Sequence, residues 1–142
     1  MYWRRDCWLD NFDAKKTYAI YRLEKSKEDL NAAKLMFEQG YLKVANNRAY
    51  YSIFHAIRAV LAFDGFDSKN HGQIIGKFRK DYVKTGLFDR EMSDIVGSAF
   101  EIRTASDYDD MFIAIKSDTI LQIEDAEKFY NTILEYINNL KL

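Results

Sequence analysis

Proline is absent from all 142 residues, and cysteine occurs once, at Cys7. A chain this long without proline excludes a loop-rich or edge-strand architecture and predicts long uninterrupted helices, because turns and strand edges are where proline is usually recruited. A lone cysteine excludes an internal disulfide and fits a reducing cytoplasm. Histidine occurs only twice, and no His-x-x-x-His spacing is present, so neither a metal site nor a cofactor is expected. The six glycines form no phosphate-cradling loop and no Gly-x-Ser-x-Gly elbow, which excludes P-loop and α/β-hydrolase chemistry. Charge of one sign is missing too. Lys+Arg 21 against Asp+Glu 22 leaves a net charge of −1, so the chain has no broad basic field for nucleic acid, and any RNA or nucleotide site must be local. No apolar run approaches the roughly 18 residues that span a bilayer, and the first residues lack a signal-peptide core. No membrane association is expected, and the location expected is cytoplasmic.

What is present is a composition for one domain with a substantial core: 48% of residues are hydrophobic and 15% aromatic. Residues 1–15 carry both tryptophans, Trp3 and Trp8, and read as an arm that either docks on the body or a second subunit, or frays. Residues 16–142 read as a helical bundle. Leu23, Leu30 and Phe37 recur every seven residues with Ala33 between, predicting a helix from about residue 18 to 39, closed by Gly40. A second helix is predicted over 42–63, a shorter one over 73–83 closed by Gly86, and a fourth from an Asp89 cap to about Ser106. Residues 107–115 read as an ordered loop in preference to a strand. A last helix, capped by Ser117 and Asp118, shows Ile123, Ala126, Tyr130, Ile133 and Ile137 on one face. The fold class is all-α: an antiparallel up-down bundle of four long helices and one short one.

The second helix carries the candidate chemistry. Arg48 and His55 are seven residues apart, nearly two turns, and so share a face. Ser52, Ala59 and Ala62 cluster near them, with Tyr51 and Arg58 at the margin, while Tyr50, Ile53, Phe54, Ile57, Val60 and Leu61 form the opposite stripe. The Arg48 face lacks Lys, Glu and Asp, and its alanines allow a helix or a ligand to come close. A solvated stripe and a buried, hydrogen-bonded histidine remain the alternatives. Tyr51 and His55, spaced i,i+4, can touch. Arg103 and Asp107 have the same spacing: either a structural ion pair or a guanidinium brought to the Arg48 groove with Asp107 orienting it. Two converging arginines would hold a phosphate by bidentate hydrogen bonds. His71, between Asn70 and Gly72, reads as a capping or surface residue.

The run Arg48-Ala49-Tyr50-Tyr51-Ser52-Ile53-Phe54-His55-Ala56 resembles the Arg-Ala-Tyr-Tyr-x-x-Phe-His-Ala signature of a prokaryotic branch of the HEPN superfamily. Ser68 to Gly72, Phe78, Val83 to Gly86, and Arg103-x-x-x-Asp107-Tyr108 resemble its later segments in order, so the resemblance covers about residues 20–140. It implies a helical bundle that commonly dimerises and is often paired, as a toxin, with a minimal nucleotidyltransferase antitoxin. Active HEPN ribonucleases are metal-independent and use Arg, four to six residues, then His. Here that spacing is met by Arg48 and His55, while Arg103 is followed by Asp107 and Tyr108. On this resemblance Arg48, His55 and Arg103 are the catalytic candidates, with Tyr51, Ser52, Asp107 and Tyr108 as binding residues. The contrasting expectation is a non-catalytic homodimeric module that binds a nucleotide or a partner protein through the same groove.

Overall fold

The computed structural model describes residues 12–140 and contains five α-helices there: α1 (Phe12–Glu38), α2 (Leu42–Leu61), α3 (His71–Phe78), α4 (Arg90–Tyr108) and α5 (Lys116–Asn138). No strand occurs among the described residues, so the all-α bundle of four long helices and a short one is what this chain forms. Side-chain pairs give the directions. Asp29 meets Arg48 across α1 and α2, Lys34 meets Glu127 across α1 and α5, and Glu91 meets Lys128 across α4 and α5. Each pair joins rods running opposite ways.

Boundaries shift where local chemistry departs from pattern. α1 reaches back to Phe12, whose ring packs 5.7 Å from Phe63, so residues 12–15 are its first turn and not part of an arm. The tryptophan-bearing stretch lies outside the described residues. α1 ends in a Schellman motif, with Gly40 N–H donating to Phe37 O (3.0 Å) and Tyr41 N–H to Met36 O (2.9 Å). This needs φ +84° at position 40, where glycine carries no steric penalty. α3 begins at His71, two residues earlier than expected, because the Asn70 side chain accepts from Gln73 N–H and caps it. After Phe78 the chain widens into a π-helical turn over Arg79–Val83. Asp89 does occupy the N-cap position of α4, but its side chain makes no capping bond. α5 starts at Lys116 after Ile115, which places Ser117 and Asp118 inside the first turn, where Asp118 complements the helix dipole without capping. Residues 109–115 form a loop, whereas Asp107 and Tyr108, expected in it, continue α4 to its end.

α2 is the central rod, with 12 of its 20 residues buried. The stripe read as core, Tyr50, Ile53, Phe54, Ile57, Val60 and Leu61, is buried throughout. Ala45, Ala49, Ala56 and Ala59 are also fully buried, so α2 is enclosed on more than one side. From α1 come Ala19, Leu23, Leu30 and Ala33, and from α5 Ile123, Ala126, Phe129, Ile133 and Ile137. Phe129 takes the inward position that periodicity had given to Tyr130, which is only partly buried.

Candidate phosphate-binding groove

On α1, Arg22, Ser26 and Asp29 stand at i, i+4 and i+7. On α2, Arg48, Ser52 and His55 repeat the spacing. The two helices run antiparallel, so the stripes meet rung by rung: Asp29 with Arg48, Ser26 with Ser52, Arg22 with His55. Arg48 Nη1 donates to Asp29 Oδ1 at 2.9 Å and Nη2 to Asn47 Oδ1 at 2.8 Å. Ser26 Oγ donates to the Ser52 carbonyl at 2.6 Å, with the two hydroxyls 3.2 Å apart. Arg22 Nη1 lies 3.4 Å from His55 Nδ1. Because a guanidinium only donates, Nδ1 must accept, and the His55 proton sits on Nε2, 3.6 Å from Asp29 Oδ2. That distance is an electrostatic contact and not a hydrogen bond.

The seam leads onto an aromatic shelf centred on Tyr51. The Arg48 guanidinium lies 5.1 Å from the Tyr51 ring centre and that of Arg103, from α4, 5.7 Å. Arg103 also covers Tyr50 at 5.3 Å, and its Nη2 donates to Tyr51 Oη at 3.4 Å. Both histidines border the same ring, His55 at 6.3 Å and His71 edge-on at 5.9 Å. His71 itself stacks on Phe54 at 4.1 Å and shares a 2.6 Å hydrogen bond between Nδ1 and Tyr50 Oη. Two arginines from different helices and two imidazoles therefore surround one tyrosine.

Burial and positive neighbours set the protonation states. Burial, then Arg22, Arg58, Lys25 and Arg48, lower the His55 imidazole to about 4, which makes it neutral at pH 7. The His55–Asp29 approach is accordingly a dipole facing a carboxylate and not a charged pair. His71 is lowered too, by burial first and then by Arg103 and Arg58, which favours its neutral ring. Burial pushes the Tyr50 phenol up to about 12 in spite of Arg103, so it stays protonated. Asp29 is raised by burial and opposed by the charge and hydrogen bond of Arg48. Arg58 is held in a fork by Asp67, at 3.0 and 2.8 Å, and serves the site's field more than its contacts.

Arg48, Tyr51, His55 and Arg103 are thus brought together. Asp107 stands beside Arg103, its Oδ2 3.2 Å from Nε, although that buried Nε is not aligned for a hydrogen bond. Ser52 is a correction: it is fully buried against Ser26, because the alanine-rich face of α2 admits a helix there and not a ligand. Tyr108 is a second one. It is 83% exposed on the last turn of α4, and among the described residues none of the shelf's ring contacts includes it. His71 neither caps nor lies on open surface, since Asn70 is the cap and the imidazole belongs to the shelf. Sequence reasoning missed Arg22, Asp29 and this role of His71. For the first two a signal existed, the repeat of the α2 spacing on α1. No residue group suited to holding a metal ion is found among the described residues, and none of their helices is long and apolar enough to cross a membrane.

Comparison with known proteins places this chain in a family. The HEPN domain matches residues 19–140. A UPF0332 protein of Thermotoga maritima is 30% identical over 127 residues, which is 89% of this chain and 96% of that one. A UPF0332 protein of Archaeoglobus fulgidus is 32% identical over 82% of this chain and 93% of its own length. A Methanocaldococcus jannaschii protein named as a candidate toxin is 25% identical over 81% of this chain and 78% of its own length.

Proposed function

The chain belongs to the HEPN domain family, and from that premise we propose that it is a toxin-like HEPN protein whose Tyr51-centred groove binds the phosphates of RNA or a nucleotide. One observation carries this reading. Guanidinium groups from α2 and α4 rest on a single tyrosine ring in a chain that has no excess of positive charge. Stacked arginines keep donors free at their edges for a phosphate, and a tyrosine face gives a base or ribose something to lie on. Among the described residues Arg103 uses one of its five donors in a hydrogen bond, to Tyr51. The partners proposed are a second copy of the chain and a minimal nucleotidyltransferase acting as antitoxin, in the cytoplasm.

The test is equilibrium binding of a short single-stranded RNA, and of ATP, to the wild type and to Arg48→Ala/Arg103→Ala. Loss of binding in the double variant supports the groove. Equal affinities in the two proteins overturn it.

A second reading, metal-independent RNA cleavage, is favoured by the neutral His55 imidazole next to Arg48. His55 would take the proton of a ribose 2′-hydroxyl at Nδ1, the hydroxyl displacing the 3.4 Å contact with Arg22. The oxygen would attack the adjacent phosphorus, the 5′-oxygen would leave with a proton from water, and Arg48 and Arg103 would stabilise the phosphorane charge. The product would be a 2′,3′-cyclic phosphate, formed equally well in EDTA. If the wild type binds RNA yet leaves it intact, the non-catalytic module stands instead.

A further inference from the structure

The aromatic shelf has a neighbour. Phe100, whose ring centre lies 6.1 Å from that of Tyr50, also lines a cavity of about 330 Å³ between α3 and α4. Ile75 adds to its apolar wall, and two opposite charges, Arg79 and Glu101, line it as well. Arg79 is fixed in place: Nε donates to Ser93 Oγ at 2.9 Å and Nη2 to the Ser93 carbonyl at 3.2 Å. The guanidinium lies this close to α4 because residue 97 is glycine, where a Cβ would stand 3.1 Å from Nη2. Among the described residues these bonds use two of its five donors. Glu101 follows Gly97 by one turn, and among the described residues its carboxylate has no hydrogen bond and no ion pair. An acid and a base thus share one cavity without neutralising each other.

Gly76 leaves that cavity open. It lies inside α3, where glycine is destabilising relative to alanine. Its φ is not positive, so the backbone does not demand glycine there. Nor does a neighbour, since a Cβ at 76 would meet nothing within 4 Å. The room it leaves belongs to the cavity, which it lines.

The occupant must have apolar faces, donors for a carboxylate, acceptors for a guanidinium, and a link to phosphates on the adjoining shelf. A nucleobase meets all four requirements. Among the bases guanine alone sets two N–H groups side by side, at N1 and N2, to match both oxygens of a carboxylate, while its O6 and N7 accept from a guanidinium. In adenine and cytosine the amino group stands beside a ring-nitrogen lone pair, and in uracil carbonyls flank the single N–H. Each of those would turn an acceptor toward Glu101. We propose that this cavity takes a guanine base, with Glu101 accepting from N1–H and N2–H and Arg79 donating to O6 and N7. The phosphates of the same RNA or nucleotide lie on Arg48 and Arg103. This rests on the groove proposed above and names the base it selects.

Fluorescence anisotropy tests it, with a short uridine RNA carrying one central guanosine and the same RNA carrying adenosine there. The wild type should bind the guanosine RNA roughly tenfold tighter. Glu101→Gln replaces one carboxylate oxygen by a donor, and Gly76→Leu fills the cavity from an exposed position. Each should remove the preference by weakening the guanosine RNA alone, with circular dichroism still that of the folded bundle. Arg48→Ala/Arg103→Ala should weaken both RNAs alike. Equal binding of the two RNAs by the wild type overturns the guanine site and leaves the groove standing. A guanosine preference untouched by Glu101→Gln does the same. A wild type that binds neither RNA overturns the groove and the guanine site together.

Discussion

Two aromatic clusters occupy this bundle, and they differ in what lies against their rings. Phe78, Tyr82, Phe88, Phe129 and Tyr136 pack on one another with neighbouring centroids 5.1 to 6.3 Å apart, and Phe78 and Phe129 are fully buried. Among the described residues the only charged partner in a hydrogen bond there is Asp64, which accepts from Tyr82 Oη at 2.8 Å, and burial followed by that carboxylate raises the Tyr82 phenol strongly. Tyr50, Tyr51, Phe54, His71 and Phe100 pack at similar distances, but guanidiniums from Arg48, Arg58 and Arg103 cover their faces. Ring packing alone is core. Rings overlaid with arginine at a half-open edge have an attraction to spare for an anion. The first cluster should therefore govern stability and the second binding.

Substitutions can break that contrast or sharpen it. Phe129→Ala empties the centre of the sealed cluster and should cost about 3–5 kcal/mol in urea unfolding, with RNA affinity unchanged wherever the protein remains folded. If affinity falls in step with stability, the two clusters are not separate. His55 supplies a pH dependence belonging to the second cluster. Its folded imidazole titrates near 4 against 6.5 as a free group. Between those values the unfolded chain binds a proton that the folded chain refuses. Stability should thus fall as pH drops from 6.5 toward 4, by about 3 kcal/mol in all, with the penalty absent above pH 7. In His55→Gln that share of the slope should vanish, as comparison of unfolding midpoints at pH 7 and 4.5 would reveal.

Arg48→Ala/Arg103→Ala should weaken RNA or ATP binding roughly thirtyfold, about 2 kcal/mol, while shifting the urea midpoint little, because these are part-exposed charges. The smallest effect belongs to Ser52→Ala. Ser26 keeps its stronger bond to the backbone carbonyl, so the loss should stay below about 1 kcal/mol and binding should not change. A binding defect in Ser52→Ala would return that hydroxyl to the groove.

Most of the fold was legible because helical periodicity and the residues that interrupt it are local signals. The α2 core stripe follows from them directly. The one-residue slip from Tyr130 to Phe129 shows their limit, since both are aromatic and a period of 3.6 places neighbours on adjacent flanks. The candidate site was legible on α2 and, on α4, in Arg103. Arg48, Tyr51 and His55 announce themselves by spacing, and Arg103 by its place in a later motif, yet Ser52 has that spacing too and ended between helices. His71 could not have been placed, because its stacking partner Phe54 lies across a turn whose geometry no local pattern specifies.

By itself the sequence determined the class and length of the rods, since proline's absence and an apolar stripe act within one helix. Only the tertiary structure decided which stripes face each other. That choice made Asp29 the partner of Arg48, buried His55 beside Arg22 and so kept the imidazole neutral, and brought Arg103 onto the ring of Tyr51. The physical reason is that a charge acts through distance in space, and space is settled by how helices pack, not by their order along the chain.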